Sequence, residues 1–377
     1  MKQLRIFLIV ILLSLLIGCT DALDDTSENL EDASVIIQSP DENQSELEVH
    51  FIDVGQADAS LLICDGHAML IDGGNAEDSN LIYSYLKSHN ITKLDYLVCT
   101  HAHEDHVGGL SGALNFATVG TTYAPVENYD SKAFKNFVTY LDKQNLSITI
   151  PSHGDTFTLG SASCKIIGPI YASDEPNNTS LVIRVVYGET NFLFTGDAER
   201  VVEQDILNAG YDVSSTVLKV GHHGSDSSTS YLWLREVAPT YAVISVGKDN
   251  SYGHPTEDVL SRLRDADVIT YRTDMQGDII CVSDGKNISF SVERNANADT
   301  LSGAGAGSNQ AVISSDSSDK DIIGTTSLYI CNLNSMKFHY TDCSSVSSIS
   351  EKNKKEVTSN RDELIEQGFS PCGNCHP

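Results

Sequence analysis

The sequence contains the segment Thr100-His101-Ala102-His103-Glu104-Asp105-His106 directly after an apolar run, residues 94–99, that predicts a buried strand. Imidazole and carboxylate groups are common protein ligands of zinc and manganese. In an extended segment alternate side chains point the same way, so His101 and His103 share one face. Asp105 and His106 follow where the chain turns, and they can converge on a second point. A solvated histidine-rich loop is the competing interpretation, but the position at a strand end favours two metal ions side by side.

Five other segments place glycines, carboxylates and histidines at predicted strand ends or in loops. They are Phe51-Ile52-Asp53-Val54-Gly55-Gln56, Ile71-Asp72-Gly73-Gly74, Thr195-Gly196-Asp197-Ala198-Glu199, Lys219-Val220-Gly221-His222-His223-Gly224-Ser225 and Tyr252-Gly253-His254-Pro255. Together with the histidine segment, they resemble the metallo-β-lactamase superfamily. Within it they resemble the metallo-hydrolase domain attached to ComEC-type DNA-uptake channels, from about residue 47 to residue 293.

The order of the predicted elements indicates the fold class. Three strands, a helix over residues 79–89 and the strand over residues 94–99 come first, and mixed elements follow. This order favours an α/β (α+β) fold, a four-layer αββα metallo-β-lactamase sandwich, over a parallel doubly wound sheet. Residues 271–277 resemble the closing hairpin of the family domain.

The resemblance implies which residues hold two divalent ions, zinc or manganese, in the active site. The ligand sets are His101, His103 and Asp197 for one ion, and Asp105, His106, Asp197 and His223 for the other. Asp72 is implied to be a carboxylate that orients the histidine loop.

Three residues are candidates for catalysis rather than for metal binding alone. Two adjacent histidines in a strand would point to opposite faces, so only one of His222 and His223 is expected to ligate. We assign His223 as the ligand, and the reverse assignment stays open. Asp105 is a candidate acceptor for a proton from the attacking water. His222 and His254 are candidates for stabilising the charge on a departing phosphate, and His254 lies next to a predicted helix N-terminus, a natural anion site.

Residues 177–180, Asn-Asn-Thr-Ser, occupy the part of the chain where most superfamily members place another metal-binding histidine. The resemblance therefore implies a first metal site with one imidazole fewer. Such a site should be weaker or richer in oxygen, which moves the preference from zinc toward manganese.

Length and composition limit the function classes. The chain has 377 residues, enough for one large core and a small appendage, and a formal net charge of −28. The charge opposes general affinity for nucleic acid or an anionic membrane, because the long-range repulsion must be overcome locally. Nine cysteines in a chain of this length do not predict a disulfide scaffold.

The N-terminus predicts an export signal. Residues 1–19 resemble a lipoprotein signal peptide, with a basic start, an apolar run and a lipobox that ends at Cys19. This resemblance implies cleavage before Cys19 and lipid on its sulfur; an uncleaved anchor or an ordinary signal peptide is the alternative. Residues 20–46 predict an acidic, disordered tether. The expected location is therefore the outer face of the bacterial cytoplasmic membrane, with the exported chain held by the lipid.

Residues 294–326 are rich in Gly, Ala and Ser and predict a linker to a small module, residues 327–377. His339, Cys343, Cys372 and Cys375 supply four ligands for a structural zinc, which a module this small needs. Disulfides are the competing interpretation. Cys331 is a fifth candidate ligand, and His376 could replace His339. The module resembles the zinc-binding domain of the Ada repair protein, although His339 departs from its four-cysteine pattern, and the methyl-acceptor activity is not implied.

The favoured function is an exported hydrolase that uses water activated by two metal ions. The substrate would be DNA or another phosphodiester, cleaved by a phosphodiesterase or nuclease of the ComEC-like type. A hydrolase of another ester or amide, such as a phosphocholine ester, a lactone or a β-lactam, is the alternative. A non-catalytic surface protein that binds DNA is a third hypothesis, which the intact metal cluster disfavours. The sequence contains no channel helices, and it leaves the oligomeric state open.

Overall fold

A computed structural model describes residues 45–302, 327–333, 335–341 and 343–372. The predicted signal peptide, most of the predicted tether and most of the predicted linker lie outside the described residues. Cys19, Cys375 and His376 lie outside them as well. Among the described residues, no helix combines the length and the apolar character needed to cross a bilayer.

The first half of the described chain supplies most of one sheet and the helices that cover it. In chain order these elements are β1 Leu47–Phe51, β2 Ser60–Cys64, β3 His67–Ile71, α1 Ser79–Ser88, β4 Lys93–Val98, α2 Glu104–Val107, α3 Leu110–Phe116, β5 Thr118–Tyr123, α4 Lys132–Lys143 and β6 Ile148–Thr149. In α4 the buried residues Phe134, Phe137 and Leu141 recur at helical spacing, and Ser131 caps the helix by accepting a hydrogen bond from the Phe134 N–H.

The second half supplies the other sheet and then returns to the first. Its elements are β7 Thr156–Leu159, β8 Ala162–Gly168, β9 Val182–Tyr187, β10 Thr190–Phe194, α5 Arg200–Asn208, β11 Val217–Lys219, α6 Tyr231–Val237, β12 Tyr241–Ile244, α7 Glu257–Asp265, β13 Ile269–Arg272, α8 Thr273–Gln276, β14 Ile279–Ser283 and β15 Ile288–Val292. The strand order is β15-β14-β1-β2-β3-β4-β5-β6 in the first sheet and β13-β12-β11-β10-β9-β8-β7 in the second.

Three apolar clusters produce four layers. One cluster lies between the two sheets and includes Phe51, Phe192 and Phe194. A second packs the first sheet against α1, α3 and α4, and a third packs the second sheet against α5, α6 and α7. The predicted αββα sandwich is confirmed.

The prediction of a closing hairpin at residues 271–277 is wrong. Tyr271 and Arg272 end β13, which pairs in parallel with β12 in the second sheet. The short helix α8 then carries the chain across to the first sheet, where β14 and β15 form the antiparallel hairpin. Gly277 takes a left-handed φ of 70° at the end of α8, so the glycine signal marks a helix end rather than a hairpin turn.

The C-terminal residues form a small third sheet, as expected for an appended module. Its elements are β16 Ser327–Asn332, β17 Lys337–Tyr340, β18 Lys354–Ser359, α9 Arg361–Glu366 and β19 Ser370–Pro371, and the strand order is β18-β16-β17-β19. Its core of Tyr329, Phe338 and Leu364 packs against Tyr231 of α6. An ion pair between Lys337 and Asp258 of α7 makes a second contact with the sandwich.

Candidate metal centre

The predicted metal-binding residues follow strands of both sheets. The histidine loop follows β4, which pairs in parallel with β3 and β5. Asp197 follows β10, and His222 and His223 follow β11, which pairs in parallel with β10 and β12. Because the carboxyl ends of parallel strands lie at the same edge of a sheet, these loops meet at one edge of the sandwich.

Asp197 lies at the centre of the cluster. Its Oδ1 lies 3.2 Å from His106 Nε2 and 3.8 Å from His223 Nε2, and its Oδ2 lies 3.9 Å from His101 Nε2. Asp105 Oδ2 lies 3.3 Å from His223 Nε2. One atom each from Asp105, His106, Asp197 and His223 falls within 4.8 Å of the others, so these four residues could hold one ion.

His101, which lies near Asp197 Oδ2, faces His103. His101 Nε2 lies 3.1 Å from His103 Nδ1. His101 is buried, and burial together with the neighbouring His106 lowers the pKa of His101 well below its ordinary value. A neutral imidazole is the form that binds a metal ion.

Asp72 lies behind the histidine loop. Its Oδ2 accepts hydrogen bonds from the Thr100 hydroxyl at 2.7 Å and from His106 Nδ1 at 2.8 Å, and its Oδ1 accepts one from the Thr100 N–H. With Nδ1 engaged in this way, His106 directs Nε2 toward Asp197.

Sequence analysis did not identify Asp58 and Lys219 as parts of the site. Asp58 Oδ1 lies 3.3 Å from His223 Nδ1, which also hydrogen-bonds to the Ser245 carbonyl at 3.1 Å. Lys219 Nζ lies 2.8 and 2.9 Å from the two oxygens of Asp58, and both side chains are buried. A lysine four residues before the predicted ligand His223 and an aspartate two residues after Gln56 were the available signals.

The prediction that His222 and His223 point to opposite faces of a strand is wrong. β11 ends at Lys219, and both histidines lie in a short turn with left-handed φ values of 51° and 53°. As a result both rings approach Asp197, with His222 Nε2 3.6 Å from Asp197 Oδ2. His223 is buried, whereas His222 is partly exposed in the cleft and hydrogen-bonds through Nδ1 to the Ser227 hydroxyl at 3.0 Å.

His254 lies near His222 at the open side of the site. The two ring centroids are 5.7 Å apart, and the Asn250 side chain accepts a hydrogen bond from the His254 N–H at 3.0 Å. Burial, with His222 and His223 nearby, lowers the pKa of His254 to about 4. His254 is therefore a neutral hydrogen-bonding group at neutral pH rather than a fixed cation.

An open cleft of about 830 Å³ gives access to these groups. Its lining combines the predicted site residues with polar groups that sequence analysis left unassigned. The lining residues are Gln56, Asn75, Ala76, Glu77, His103, Glu104, Asp105, Asn177, Asp197, His222, His223, Tyr252 and His254.

Comparison with known proteins identifies the family. The pattern described as Metallo-beta-lactamase superfamily matches residues 52–248, which is more than half of the 377 residues. The chain belongs to the metallo-β-lactamase superfamily. The predicted resemblance is thereby confirmed, and the chain is a hydrolase of the metallo-β-lactamase fold.

Two relatives carry competence-related names. The ComE operon protein 3 of Bacillus subtilis is 29% identical over 256 residues, covering 62% of this chain and 33% of that protein. The competence protein ComA of Neisseria gonorrhoeae is 30% identical over 238 residues, covering 62% of this chain and 32% of that protein. The chain thus spans about a third of the length of these curated relatives.

Solved structures are similar to part of the chain at low sequence identity. The metallo-beta-lactamase fold protein YhfI of Bacillus subtilis is 12% identical, with a TM-score of 0.44, and the similarity covers 63% of this chain and all of that one.

The metallo-β-lactamase fold implies divalent ions, and the residues present fit them. Three buried ligand atoms, His106 Nε2, His223 Nε2 and Asp197 Oδ1, have no hydrogen-bond partner in the described part of the chain. Buried polar atoms without partners cost free energy, and a cation among them would satisfy all three.

The C-terminal module holds a second cluster. Ligand atoms of His339, Cys343 and Cys372 lie within 4.8 Å of one another, and the two Sγ atoms are 3.9 Å apart, about twice the length of a disulfide bond. His339 Nδ1 is buried and has no hydrogen-bond partner among the described residues. This cluster contains three of the four predicted zinc ligands, and the fourth, Cys375, lies outside the described residues.

Proposed function

We propose that the chain is a metal-dependent phosphodiesterase that cleaves DNA. The observation that carries the proposal is the convergence of Asp105, His106, Asp197 and His223 beside an open polar cleft, with His101 next to Asp197. His101, His103 and Asp197 would hold one ion, and Asp105, His106, Asp197 and His223 the other. The competence-related names of the relatives support a nucleic-acid substrate.

Bound divalent ions would neutralise phosphoryl charge and lower the pKa of water toward neutrality. The chain's own groups would do the remaining work. Burial opposes ionisation of Asp105, but His106 and His223 outweigh it and lower its pKa to about 2, so the carboxylate is in the ionised form that a metal ligand or a proton acceptor requires. His222 and His254, on the open side, would hydrogen-bond to the departing phosphate oxygen.

Incubation of the full-length, metal-loaded protein with single- and double-stranded DNA tests this proposal. We expect cleavage with zinc or manganese, and a loss of at least about 100-fold in His103→Ala and Asp197→Asn. His153→Ala is the matched control, because His153 is exposed and hydrogen-bonds to Tyr211 outside the cleft. If the protein hydrolysed a lactone, a phosphocholine ester or a β-lactam but left DNA intact, DNA would be ruled out as the substrate and that compound would take its place. Cleavage that persists in His103→Ala would contradict the catalytic role of the cluster.

We propose a structural zinc ion in the C-terminal module, held by His339, Cys343, Cys372 and Cys375. The three described ligands lie at the right separations for one ion, and a small sheet gains stability from such a site.

Export and lipid attachment at Cys19 remain proposals based on the sequence. Metabolic labelling with a radioactive fatty acid tests them, since Cys19→Ala should lose the label while the label persists in Cys64→Ala. Equal labelling of both variants would contradict lipidation at Cys19.

A further inference from the structure

Asn177 lies in a short 3-10 turn, Pro176–Thr179, that is fixed against the metal centre. Just after the turn, the Leu181 N–H donates to the carbonyl of Thr100 at 2.9 Å, next to His101. The Ser180 hydroxyl accepts a hydrogen bond from the Asp197 N–H at 3.1 Å. The turn is thus attached to the backbone on both sides of the first ligand set.

The two adjacent asparagines differ in what their side chains contact. Asn178 Nδ2 donates to Glu199 Oε2 at 3.1 Å, and Asn178 Oδ1 accepts from the Glu199 N–H at 3.2 Å, so both ends of this amide are used near the start of α5. Asn177 is only 8% exposed, and its Oδ1 is buried without a hydrogen-bond partner in the described part of the chain. The Asn177 side chain lines the cleft together with His103 and Asp197.

A buried carbonyl oxygen without a partner is unfavourable unless another group satisfies it. His103 and Asp197 line the cleft together with Asn177. A cation bound among these three side chains would give Asn177 Oδ1 the partner that it lacks. Amide oxygens are good ligands for hard divalent ions.

We propose that Asn177 Oδ1 is a ligand of the ion held by His101, His103 and Asp197. This inference rests on the proposed two-ion site and assigns the remaining protein ligand of its first ion. The set then contains two nitrogen and two oxygen donors, which is harder than a set with three imidazoles. The ligand set therefore favours manganese over zinc at this position.

Manganese binding to the metal-free full-length protein tests the assignment, by calorimetry and by the electron paramagnetic resonance signal of free Mn²⁺. We expect two ions in the unaltered protein. Asn177→Ala should weaken one of them by on the order of tenfold or more and leave the other unchanged. Asn177→Asp, which keeps an oxygen donor, should retain both ions. Asn177→His should bind both ions with a preference shifted toward zinc.

Asn178→Ala is the matched control, because it removes a neighbouring amide that faces Glu199 instead of the cleft. It should bind both manganese ions as the unaltered protein does. Circular dichroism of each variant separates loss of an ion from loss of the fold, and retention of both ions by Asn177→Asp shows that an oxygen donor at this position is sufficient.

Unchanged binding of two ions by Asn177→Ala would overturn the assignment, as would a single manganese ion in the unaltered protein. If the protein bound two ions but did not cleave DNA, the proposed substrate would be refuted. The assignment of Asn177 would still be decided by manganese binding to the Asn177 variants.

Discussion

Lys219, Asp58 and His223 form a buried line of groups behind the metal centre. The lysine neutralises the aspartate, and the aspartate lies 3.3 Å from the Nδ1 atom of the histidine. A carboxylate beside the inner nitrogen of an imidazole fixes the ring's orientation and raises its basicity as a ligand. Burial opposes a charge on Asp58, but Lys219 and His223 outweigh it and lower its pKa below the usual range.

Lys219→Met should lower the free energy of unfolding by up to about 3–5 kcal/mol, because the buried Asp58 carboxylate then keeps only the His223 imidazolium as a counter-charge. Urea denaturation of the metal-free protein measures this loss. The double variant Asp58→Asn/Lys219→Met should recover much of it, because no unpaired charge then remains. Equal losses in the single and the double variant would contradict the ion-pair explanation.

The metal affinity of the second site should rise with pH through the neutral range. Burial opposes a charge on His223, but the carboxylates of Asp197 and Asp58 raise its pKa to about 10, so the metal-free protein carries a proton there. Because the pKa is raised, the protonated form is populated at all pH values below about 10. An incoming ion must displace this proton, so lower pH weakens binding.

Calorimetric zinc titrations at pH 6 and pH 8, in buffers of different ionisation enthalpy, check this expectation by counting the protons released. Asp58→Asn should release fewer protons per ion than the unaltered protein. Proton release that is absent at both pH values would contradict it.

At the scale of single elements, the patterns that are local in sequence could be predicted and the unusual backbone could not. The predicted helix over residues 79–89 corresponds to α1, and the buried run of residues 94–99 corresponds to β4. His222 and His223 both adopt left-handed φ values, which non-glycine residues rarely do, so the sequence did not predict this turn. The assumed strand geometry therefore gave the wrong directions for the two rings.

Gly112 allows α3 to approach α1 closely. A Cβ atom there would lie 1.8 Å from the Ser79 carbonyl oxygen, a backbone atom that cannot rotate away. The histidine loop leads into this helix through α2, so the contact also supports the position of the metal centre.

Gly112→Ala should lower the free energy of unfolding by about 1–3 kcal/mol, because the clash at the helix interface forces the two helices apart. Helix propensity alone predicts the opposite sign, a gain of up to about 1 kcal/mol. The sign of the change in urea denaturation therefore decides between the two effects. Asn115→Ala is the control, since Asn115 is exposed on the same helix and its replacement should change stability by less than about 0.5 kcal/mol.

At the scale of the whole molecule, the site depends on the packing of two sheets. His101, His103, Asp105 and His106 lie in one short segment, so their cluster could be predicted from the sequence. Asp58 and Lys219 reach the site from distant parts of the chain, Lys219 from the end of β11, and the packing of the two sheets brings them together. Long-range packing of this kind leaves no spacing pattern in the chain.

The C-terminal module should bind cobalt(II) through thiolates when the protein is reduced. We expect a thiolate-to-cobalt absorption band in the unaltered protein and its loss in Cys343→Ser and Cys372→Ser, because both sulfur atoms lie in the cluster with His339. Cys331→Ala is the control, since Cys331 is buried in β16 outside that cluster. An absorption band that persists in both serine variants would contradict the proposed site. If Cys343 and Cys372 resisted thiol-modifying reagents only in the oxidised protein, a disulfide would be indicated instead.

The crowding of Asp105, Asp197 and two buried histidines around one point makes the stability of the protein depend on the supply of divalent cations. Each ion that binds only the folded chain stabilises it, by about 2.7 kcal/mol when the free ion is at 100 times its dissociation constant. A chain starved of divalent cations would open more often and be degraded faster by proteases. Its abundance would then follow cation availability, without any dedicated sensor or change in gene expression.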